Sequence, residues 1–264
     1  MFALAALAAV LLIGSSGAAR SAEARRPLTI AHRGANRLAD ENTLKAYQLA
    51  ADYGVDFIEC DPRLTADGVF VINHDQSLVR ATGVDKNIPD LTLAEVRAIK
   101  TKNGETIPTL AEVFRLATDR GVRVFIDTKL HDVESMQKLV AAIADAGMKD
   151  RVVVQLWTHE QQKWMSKNAP DINTSLSYPS PLPSLTQVRK SGAEWVGMLY
   201  ADDKALAQAA KLGLLVVTMP INDTDTMRSR VAAGLTIIQT DDVVLLKEFM
   251  DQEFGPAAAP ETTD

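Results

Sequence analysis

The chain has 264 residues, of which 47% are hydrophobic and 23% are charged. This composition excludes a globally disordered protein and leaves room for one barrel-sized domain or two small ones. The formal net charge of −6 comes from interspersed acidic and basic residues, which argues against a nucleic-acid-binding surface. An anionic partner must therefore be bound by a local site.

The first 24 residues predict a secretory signal peptide, because an apolar run over residues 3–14 is followed by small residues that offer cleavage after Ala19 or Ala24. The run is shorter than the roughly 20 apolar residues of a transmembrane helix, although an uncleaved membrane anchor is the alternative. We therefore expect export to the periplasm or the extracellular space. Membrane contact would come only from an uncleaved signal or a lipid substrate. The single cysteine, Cys60, excludes an intramolecular disulfide.

The following stretch, residues 27–252, alternates short apolar strands with alanine-rich helical segments, and residues 255–264 are predicted to be a disordered tail. The predicted strands are Leu28–Ala31, Asp56–Asp61, Val122–Asp127, Arg151–Gln155, Asn173–Leu176, Trp195–Met198, Leu215–Met219 and Thr236–Thr240. The predicted helices are Glu41–Tyr53, Leu110–Thr118, Val133–Ala146, Glu160–Asn168, Lys204–Lys211 and Thr224–Ala233.

Continuous apolar strands that alternate with helices indicate a parallel sheet covered on its faces. Eight such units in a chain of this length favour a closed (β/α)8 TIM barrel over an open sheet. No glycine-rich dinucleotide or nucleoside-triphosphate loop follows any of the strands, which argues against the commonest open-sheet enzymes.

One further strand, Val69–Asn73, follows the second barrel strand after the turn residues Asp67 and Gly68 and predicts an extra β-hairpin strand. A turn centred on Asp67 and Gly68 would place His74 opposite Asp61. A turn centred on Ala66 and Asp67 would place His74 opposite Glu59. Either register brings this histidine beside an acidic residue of the second strand.

Acidic side chains occur where the second and third barrel strands end. Side chains alternate along a strand, so Glu59 and Asp61 share one face while Cys60 takes the other. Asp127 ends the next strand, and all such ends meet at the C-terminal face of a barrel, where active sites form. Three carboxylates can then converge. Oxygen ligands of this kind suit one divalent cation, Mg2+ or Ca2+, rather than zinc.

These residues belong to a pattern that resembles the glycerophosphodiester phosphodiesterase family in order and spacing. The matching motifs are His32-Arg33-Gly34, Glu41-Asn42-Thr43, Glu59-x-Asp61, Leu64-Thr65-x-Asp67-Gly68, His74-Asp75 and Ile107-Pro108-Thr109-Leu110. The dense match covers residues 30–129, and a looser one continues to Thr240-Asp241. The family fold is a (β/α)8 barrel, in agreement with the strand count.

The resemblance implies that Glu59 and Asp61 bind the metal and that His32 and His74 form an acid/base pair. It also implies that Arg33 grips the phosphate, and Lys129 would add a second positive charge. A metal ion and a guanidinium suit an anion whose charge grows in the transition state. Imidazole titrates near neutral pH, so one histidine can accept a proton while the other donates one.

The third barrel strand departs from the family pattern, because Asp127 stands where the family usually has glutamate. Aspartate is one methylene shorter, so the metal must lie closer to the strand or take a bridging water. Distant relatives of the sphingomyelinase D type resemble this chain in using aspartate there. Residues 217–222 also lack the tryptophan usual in the family. Both changes bear on substrate choice.

The resulting expectation is metal-dependent hydrolysis of a glycerophosphodiester, a small molecule, to glycerol 3-phosphate and an alcohol. The departures keep two alternatives open. One is a phospholipase D-type phosphodiesterase acting on lysophospholipids or sphingolipids, which would need an exposed apolar surface for acyl chains. The other is a catalytically degenerate barrel that only binds phosphodiesters.

Overall fold

A computed structural model describes residues 26–130, 132–178 and 184–256. Its main sheet has eight parallel strands in the order β10-β1-β2-β5-β6-β7-β8-β9. The strands are β1 (Leu28–Ala31), β2 (Phe57–Cys60), β5 (Arg123–Asp127), β6 (Val152–Leu156), β7 (Asn173–Tyr178), β8 (Trp195–Met198), β9 (Leu215–Thr218) and β10 (Ile237–Thr240). Each corresponds to one strand predicted from the sequence.

The two ends of this strand order, β9 and β10, approach each other. The backbone N–H of Val216 donates to Oγ1 of Thr236 at 2.9 Å. Just beyond β9, the N–H of Ile221 donates to the carbonyl oxygen of Gln239 at 2.8 Å. The sheet is thereby a nearly closed barrel, and the predicted (β/α)8 fold is confirmed.

Most of the helices lie between successive barrel strands and cover the outside of the sheet, whereas two short ones, Val79–Thr82 and Leu93–Ala98, lie beside a separate small core. The helices are α1 (Leu44–Asp52), α2 (Val79–Thr82), α3 (Leu93–Ala98), α4 (Leu110–Arg120), α5 (Val133–Asp145), α6 (His159–Asn168), α7 (Leu185–Lys190), α8 (Asp203–Leu212), α9 (Thr224–Ala232) and α10 (Val243–Phe254), with short 3-10 turns at Ile88–Asp90 and Lys149–Arg151. Local sequence sets their ends. Thr109 and Thr158 begin α4 and α6 with complete capping boxes, and Gly121 ends α4 in the left-handed conformation.

The strands pack on both faces. Phe57, Phe125 and Trp195 belong to a cluster inside the barrel, where the Phe57 and Trp195 ring centroids lie 5.3 Å apart. Ile58 and Cys60 belong to the larger cluster between sheet and helices. This alternation fills the barrel interior with apolar side chains below its C-terminal rim. Polar side chains that continue the inward-facing rows are therefore carried to the rim.

Between β2 and α4 the chain leaves the barrel. The antiparallel strands β3 (Pro62–Leu64) and β4 (Phe70–Ile72) pair Pro62 with Ile72. The N–H of Asn73 donates to the carbonyl oxygen of Asp61 at 3.0 Å, so Asn73 rather than His74 lies opposite Asp61. Both predicted registers were wrong by one residue, because the loop between Thr65 and Val69 has three residues instead of two.

This excursion has its own small core, which is formed by Val71, Leu78, Ile88, Leu91, Val96 and Ile107. The capping box at Thr92 begins its longer helix, α3. The excursion is held to the barrel because the N–H of Ile72 donates to the carbonyl oxygen of Pro108 at 2.9 Å. It therefore presents the residues after β4 at a fixed position beside the barrel rim.

The predicted signal peptide, residues 1–24, lies outside the described residues, as does the tail from residue 257 onward. Among the helices of the described ranges, none combines the length and apolarity needed to cross a membrane.

Candidate active site

Three buried carboxylates form the centre of the barrel rim. Glu59 is 2% exposed and Asp61 is fully buried. Strands β2 and β5 are neighbours whose register pairs Cys60 with Ile126, so Asp61 and Asp127 are level with each other. One oxygen from each of Glu59, Asp61 and Asp127 lies within 4.8 Å of the others. This oxygen-only donor set fits a hard divalent cation, Mg2+ or Ca2+, and lacks the nitrogen or sulfur that zinc prefers.

Burial disfavours the ionised forms of these carboxylates. It raises the pKa of Glu59 well above its usual range, and the neighbouring charges of Asp61 and Asp127 raise it further. Burial also raises the pKa of Asp127, although Lys129 acts against it. The pKa of Asp61 is lowered despite burial, because Lys129 and an amide hydrogen bond from Asn42 favour its ionised form. Three carboxylates so close together need positive charge to ionise fully.

Lys129 supplies part of that charge. Its Nζ atom lies 3.1 Å from Oδ1 of Asp61 and also forms an ion pair with Oδ2 of Asp127. Although burial lowers the pKa of Lys129, the two carboxylates outweigh it and raise that pKa above its ordinary value. Trp157 lies alongside, and its Nε1–H donates to Oδ1 of Asp127 at 2.9 Å. The Asp127 carboxylate is thus fixed on both oxygens.

His32 follows β1 at the same rim. Its Nδ1 atom lies 2.7 Å from Oδ1 of Asp241, which also accepts a hydrogen bond from Asn36 at 2.7 Å. The other oxygen of Asp241 accepts from Asn222 at 2.7 Å. These hydrogen bonds outweigh burial and keep the pKa of Asp241 far below its usual range. An ionised Asp241 favours the proton on Nδ1 of His32, which leaves Nε2 of the neutral ring as a hydrogen-bond acceptor.

His74 follows β4 and has a similar arrangement. Its Nδ1 atom lies 2.9 Å from Oδ1 of Asp75, whose other oxygen is ion-paired with Arg80. The guanidinium Nε of Arg63 donates to the carbonyl oxygen of His74 at 3.0 Å and holds the backbone. His32 and His74 line the same cavity. Each histidine therefore enters it with one nitrogen engaged by a carboxylate.

Arg33 joins the two sides of the site. Its backbone has a left-handed φ of 59°, and its N–H donates to Oε2 of Glu59 at 2.7 Å. The guanidinium bonds to Oε1 of Glu41 at 3.2 Å, and its Nε lies 3.6 Å from Oδ2 of Asp61. Gly34 follows with φ of 80°, and a Cβ there would lie 2.8 Å from the carbonyl carbon of Ala46. Glycine is thus required in this turn.

The segment Glu41-Asn42-Thr43 stabilises the arrangement of the carboxylate cluster. Asn42 has φ of 60°, and its side-chain amide donates to Oδ2 of Asp61 at 2.9 Å. The hydroxyl of the buried Tyr47 donates to Oδ1 of Asn42 at 2.7 Å, which fixes the orientation of the amide. Thr43 begins helix α1 by accepting a hydrogen bond from the N–H of Ala46 at 3.2 Å. The segment thereby fixes one oxygen of the carboxylate cluster.

Two cavities meet at His32 and Arg33. The first encloses about 180 Å3, and its lining includes both histidines and several apolar side chains. These apolar residues are Phe125, Trp157, Met198, Leu199, Val217 and Met219. The second encloses about 490 Å3 and has charged walls, with Asp40, Glu41, Arg80 and Lys102 among them. A ligand centred on the shared residues can therefore reach two different environments.

The structure brings all seven predicted site residues to one rim, which are His32, Arg33, Glu59, Asp61, His74, Asp127 and Lys129. Asp241 and Asn222 were not among them, since nothing in the local sequence of Asp241 reveals that it contacts His32, 209 residues away, and Asn222 acts through Asp241. The signal that could have found Asp241 is its position directly after the last barrel strand. Asp75, which was identified from the sequence only as part of the His74-Asp75 motif, contacts the imidazole of His74.

Comparison with known proteins is consistent with this geometry. The model of the glycerophosphoryl diester phosphodiesterase family matches residues 32–245. A glycerophosphodiester phosphodiesterase of Caldanaerobacter subterraneus subsp. tengcongensis is 30% identical over 230 residues, which cover 82% of this chain and 95% of that protein.

Solved structures share the fold. A glycerophosphodiester phosphodiesterase from Agrobacterium tumefaciens has a TM-score of 0.73 at 24% identity, and the match covers 84% of this chain and 99% of that one. A phosphodiesterase from Oleispira antarctica, solved in complex with the product sn-glycerol-3-phosphate, has a TM-score of 0.76 at 23% identity. The match covers 85% of this chain and 97% of that one.

Proposed function

This chain belongs to the glycerophosphoryl diester phosphodiesterase family and hydrolyses glycerophosphodiesters, and we propose that it does so with one divalent cation and two histidines. The products would be glycerol 3-phosphate and an alcohol. The observation that carries the proposal is the convergence of His32 and His74 on one cavity beside three carboxylates. Membership in this enzyme family argues against a barrel that only binds phosphodiesters.

Glu59, Asp61 and Asp127 would hold Mg2+ or Ca2+. When bound, the cation supplies positive charge that offsets the carboxylates and stabilises the phosphate as its charge grows. Burial and the neighbouring acids raise the pKa of Glu59 in the metal-free protein and so favour its protonated form. That proton must leave for all three carboxylates to serve as ligands.

Arg33 and Lys129 are proposed to bind the phosphate. Both cations are largely buried, at 17% and 14% side-chain exposure, where a charge is only weakly screened by water. Their present partners are carboxylates of the same cluster. Their contacts with a bound phosphate would complement those of the metal ion.

His32 and His74 are proposed to exchange protons with the reacting oxygens. With each Nδ1 engaged by a carboxylate, the Nε2 atoms remain for this chemistry. One imidazole accepts the proton of the attacking hydroxyl, and the other donates a proton to the leaving alcohol. Both water and the glycerol 2-hydroxyl fit as nucleophiles, and the second gains from proximity to the phosphorus.

Phosphorus NMR of the purified protein with glycerophosphocholine, in Mg2+, Ca2+ or EDTA, tests this proposal. We expect glycerol 3-phosphate to form with at least one cation and turnover to stop in EDTA. His32→Gln and His74→Gln should each lose activity by about 100-fold or more, in the range of general acid–base catalysis. His159→Gln is the matched control, because His159 does not line the cavity that contains His32 and His74.

Equal rates in EDTA and in metal would contradict the cation. A variant of His32 or His74 that keeps substantial activity, with an unchanged circular dichroism spectrum, would remove that histidine from the mechanism.

Export is a separate proposal, supported by the apolar run and small residues of segment 1–24. Mass spectrometry of the protein recovered from the exported fraction should show a start after Ala19 or Ala24. Recovery only of the full-length chain inside the cytoplasm would contradict it.

A further inference from the structure

An exposed apolar patch borders the first cavity, and we define it as Trp157, Leu199 and Met219. Leu199 is 71% exposed, Met219 is 54% exposed and Trp157 is 42% exposed. Large apolar side chains that are exposed together beside a cavity mark a binding surface more often than isolated ones do. All three line the cavity that also contains His32 and His74.

The strand register places two of these side chains together. Strands β8 and β9 pair Met198 with Thr218, so Leu199 and Met219 are the next residues on adjacent strands. Neighbouring strands lie roughly 4.8 Å apart, which is close enough for both side chains to contact one ligand chain. Deeper in the cavity the lining continues with Met198 and Val217. An apolar path thus runs from the patch toward the phosphate site.

The opposite side of the site is different. The second cavity, here called the charged groove, is bordered by Asp40, Glu41, Arg80 and Lys102. His32 and Arg33 line both cavities. A phosphodiester centred on these two residues would extend one alcohol arm over apolar side chains and the other among charged ones. A substrate with two small polar arms would leave the apolar patch in water.

We propose that the preferred substrate is a monoacyl glycerophosphodiester, a lysophospholipid with a polar or charged head group. This inference rests on the function proposed above. The acylglycerol arm lies along the apolar patch, and the head group lies in the charged groove. One acyl chain is the occupant, because the apolar cavity encloses only about 180 Å3. The bond between phosphorus and the head-group oxygen breaks, the oxygen of water joins phosphorus, and the head group leaves as an alcohol with a proton.

Initial rates with glycerophosphocholine and with its 1-octanoyl ester, kept below the micelle concentration, test this assignment. We expect kcat/KM of the wild-type protein to be roughly 10-fold or more higher for the octanoyl ester, the range that a few buried methylenes give in a hydrophobic pocket. The double variant Leu199→Gln/Met219→Gln should lose that preference through KM and keep its rate on glycerophosphocholine. Both side chains are exposed, so the fold should tolerate the change.

Val133→Gln is the matched control, because Val133 is 54% exposed and lines neither cavity. It should keep the preference for the octanoyl ester. Cleavage of glycerophosphocholine without a preference for the ester, or a preference that survives in the double variant, would overturn the acyl site while leaving the proposed function intact.

If neither compound is cleaved with any added metal ion, the proposed function fails. Calorimetric titration with the two uncleaved compounds then still tests whether the patch binds an acyl chain. The octanoyl ester should then bind the wild-type protein about 10-fold more tightly than it binds the double variant. Equal affinities would overturn the inference.

Discussion

Nδ1 of His32 lies 2.7 Å from Oδ1 of Asp241, across the seam where the first and last barrel strands meet. The contact depends on the parallel pairing of Ala31 with Thr240, which brings the residues directly after these two strands side by side. Asp241 is in turn held by two side-chain amides. The pairing of the first and last barrel strands and the orientation of the proposed acid/base group therefore depend on the same register.

Asp241→Asn should lower kcat on glycerophosphocholine by about 10- to 100-fold, the cost typical of losing a carboxylate that orients an imidazole. The amide no longer favours the proton on Nδ1 of His32, so the pH profile should also change shape. KM should change much less. Asp225→Asn is the control, because the side chain of Asp225 is 96% exposed. A normal kcat and an unchanged profile in Asp241→Asn would show that the contact does not orient His32.

Glu59→Gln should change how the metal-free protein responds to pH. Burial and the neighbouring acids raise the pKa of Glu59 in the folded state, whereas this pKa is about 4.3 in an unfolded chain. Between those two values the folded state keeps a proton that the unfolded state has released, so the free energy of unfolding falls as pH rises.

Urea denaturation in EDTA from acid to neutral pH provides the measurement. Relative to Glu59→Gln, which cannot titrate there, the wild-type protein should lose stability as pH rises through this window. Saturating Mg2+ should reduce the loss, since the metal binds the deprotonated form. A constant difference between the two proteins across the window would contradict a raised pKa.

Asp127→Glu should keep turnover within about 10-fold of the wild type, because it restores the residue usual in the family and retains the charge. Asp127→Asn keeps the shape and can still accept the hydrogen bond from Trp157, but it removes a charged ligand. Calorimetry should show Mg2+ affinity reduced by about 10-fold or more in Asp127→Asn. Equal Mg2+ affinity of the two variants would remove Asp127 from the metal site.

Gly34→Ala should destabilise the fold by about 3 kcal/mol, from a left-handed backbone and an overpacked contact together. The contact is that of the added Cβ with the backbone of Ala46 at 2.8 Å. Gly54→Ala is the matched control, because Gly54 has a similar φ of 76° but open space around a Cβ. It should cost only about 1 kcal/mol. Equal losses in urea denaturation would mean that the close approach does not matter.

Most of the barrel could be predicted from the sequence, because most of its eight strands are short apolar runs, although β7 (Asn173–Tyr178) consists mainly of polar residues. The rim acids followed from the same rule, since parallel strands end at one face. The register of the β3–β4 hairpin could not. Asp67 and Gly68 suggested a two-residue turn, whereas Thr65 accepts the N–H of Val69 with its hydroxyl and closes a longer loop.

Helices α2, α3, α7 and α10 were also not predicted as separate elements. The first three have six residues or fewer, too short for a clear helical period. The apolar patch was missed for another reason. Leu199 and Met219 directly follow apolar strands and have the same appearance in the sequence as core residues. Only the place where each strand ends separates an exposed side chain from a buried one.

The proposed reacting groups come from the ends of β1, β2, β5 and β10 and from the excursion that carries His74. The apolar patch follows β6, β8 and β9. The two sets occupy opposite arcs of one ring. Substitutions of Leu199 and Met219 can therefore alter which molecules are accepted without displacing the acids or the imidazoles, whereas Trp157 also holds the Asp127 carboxylate. A barrel organised in this way can acquire new specificities during evolution through changes in one arc of its rim, while the other arc continues to perform the same reaction.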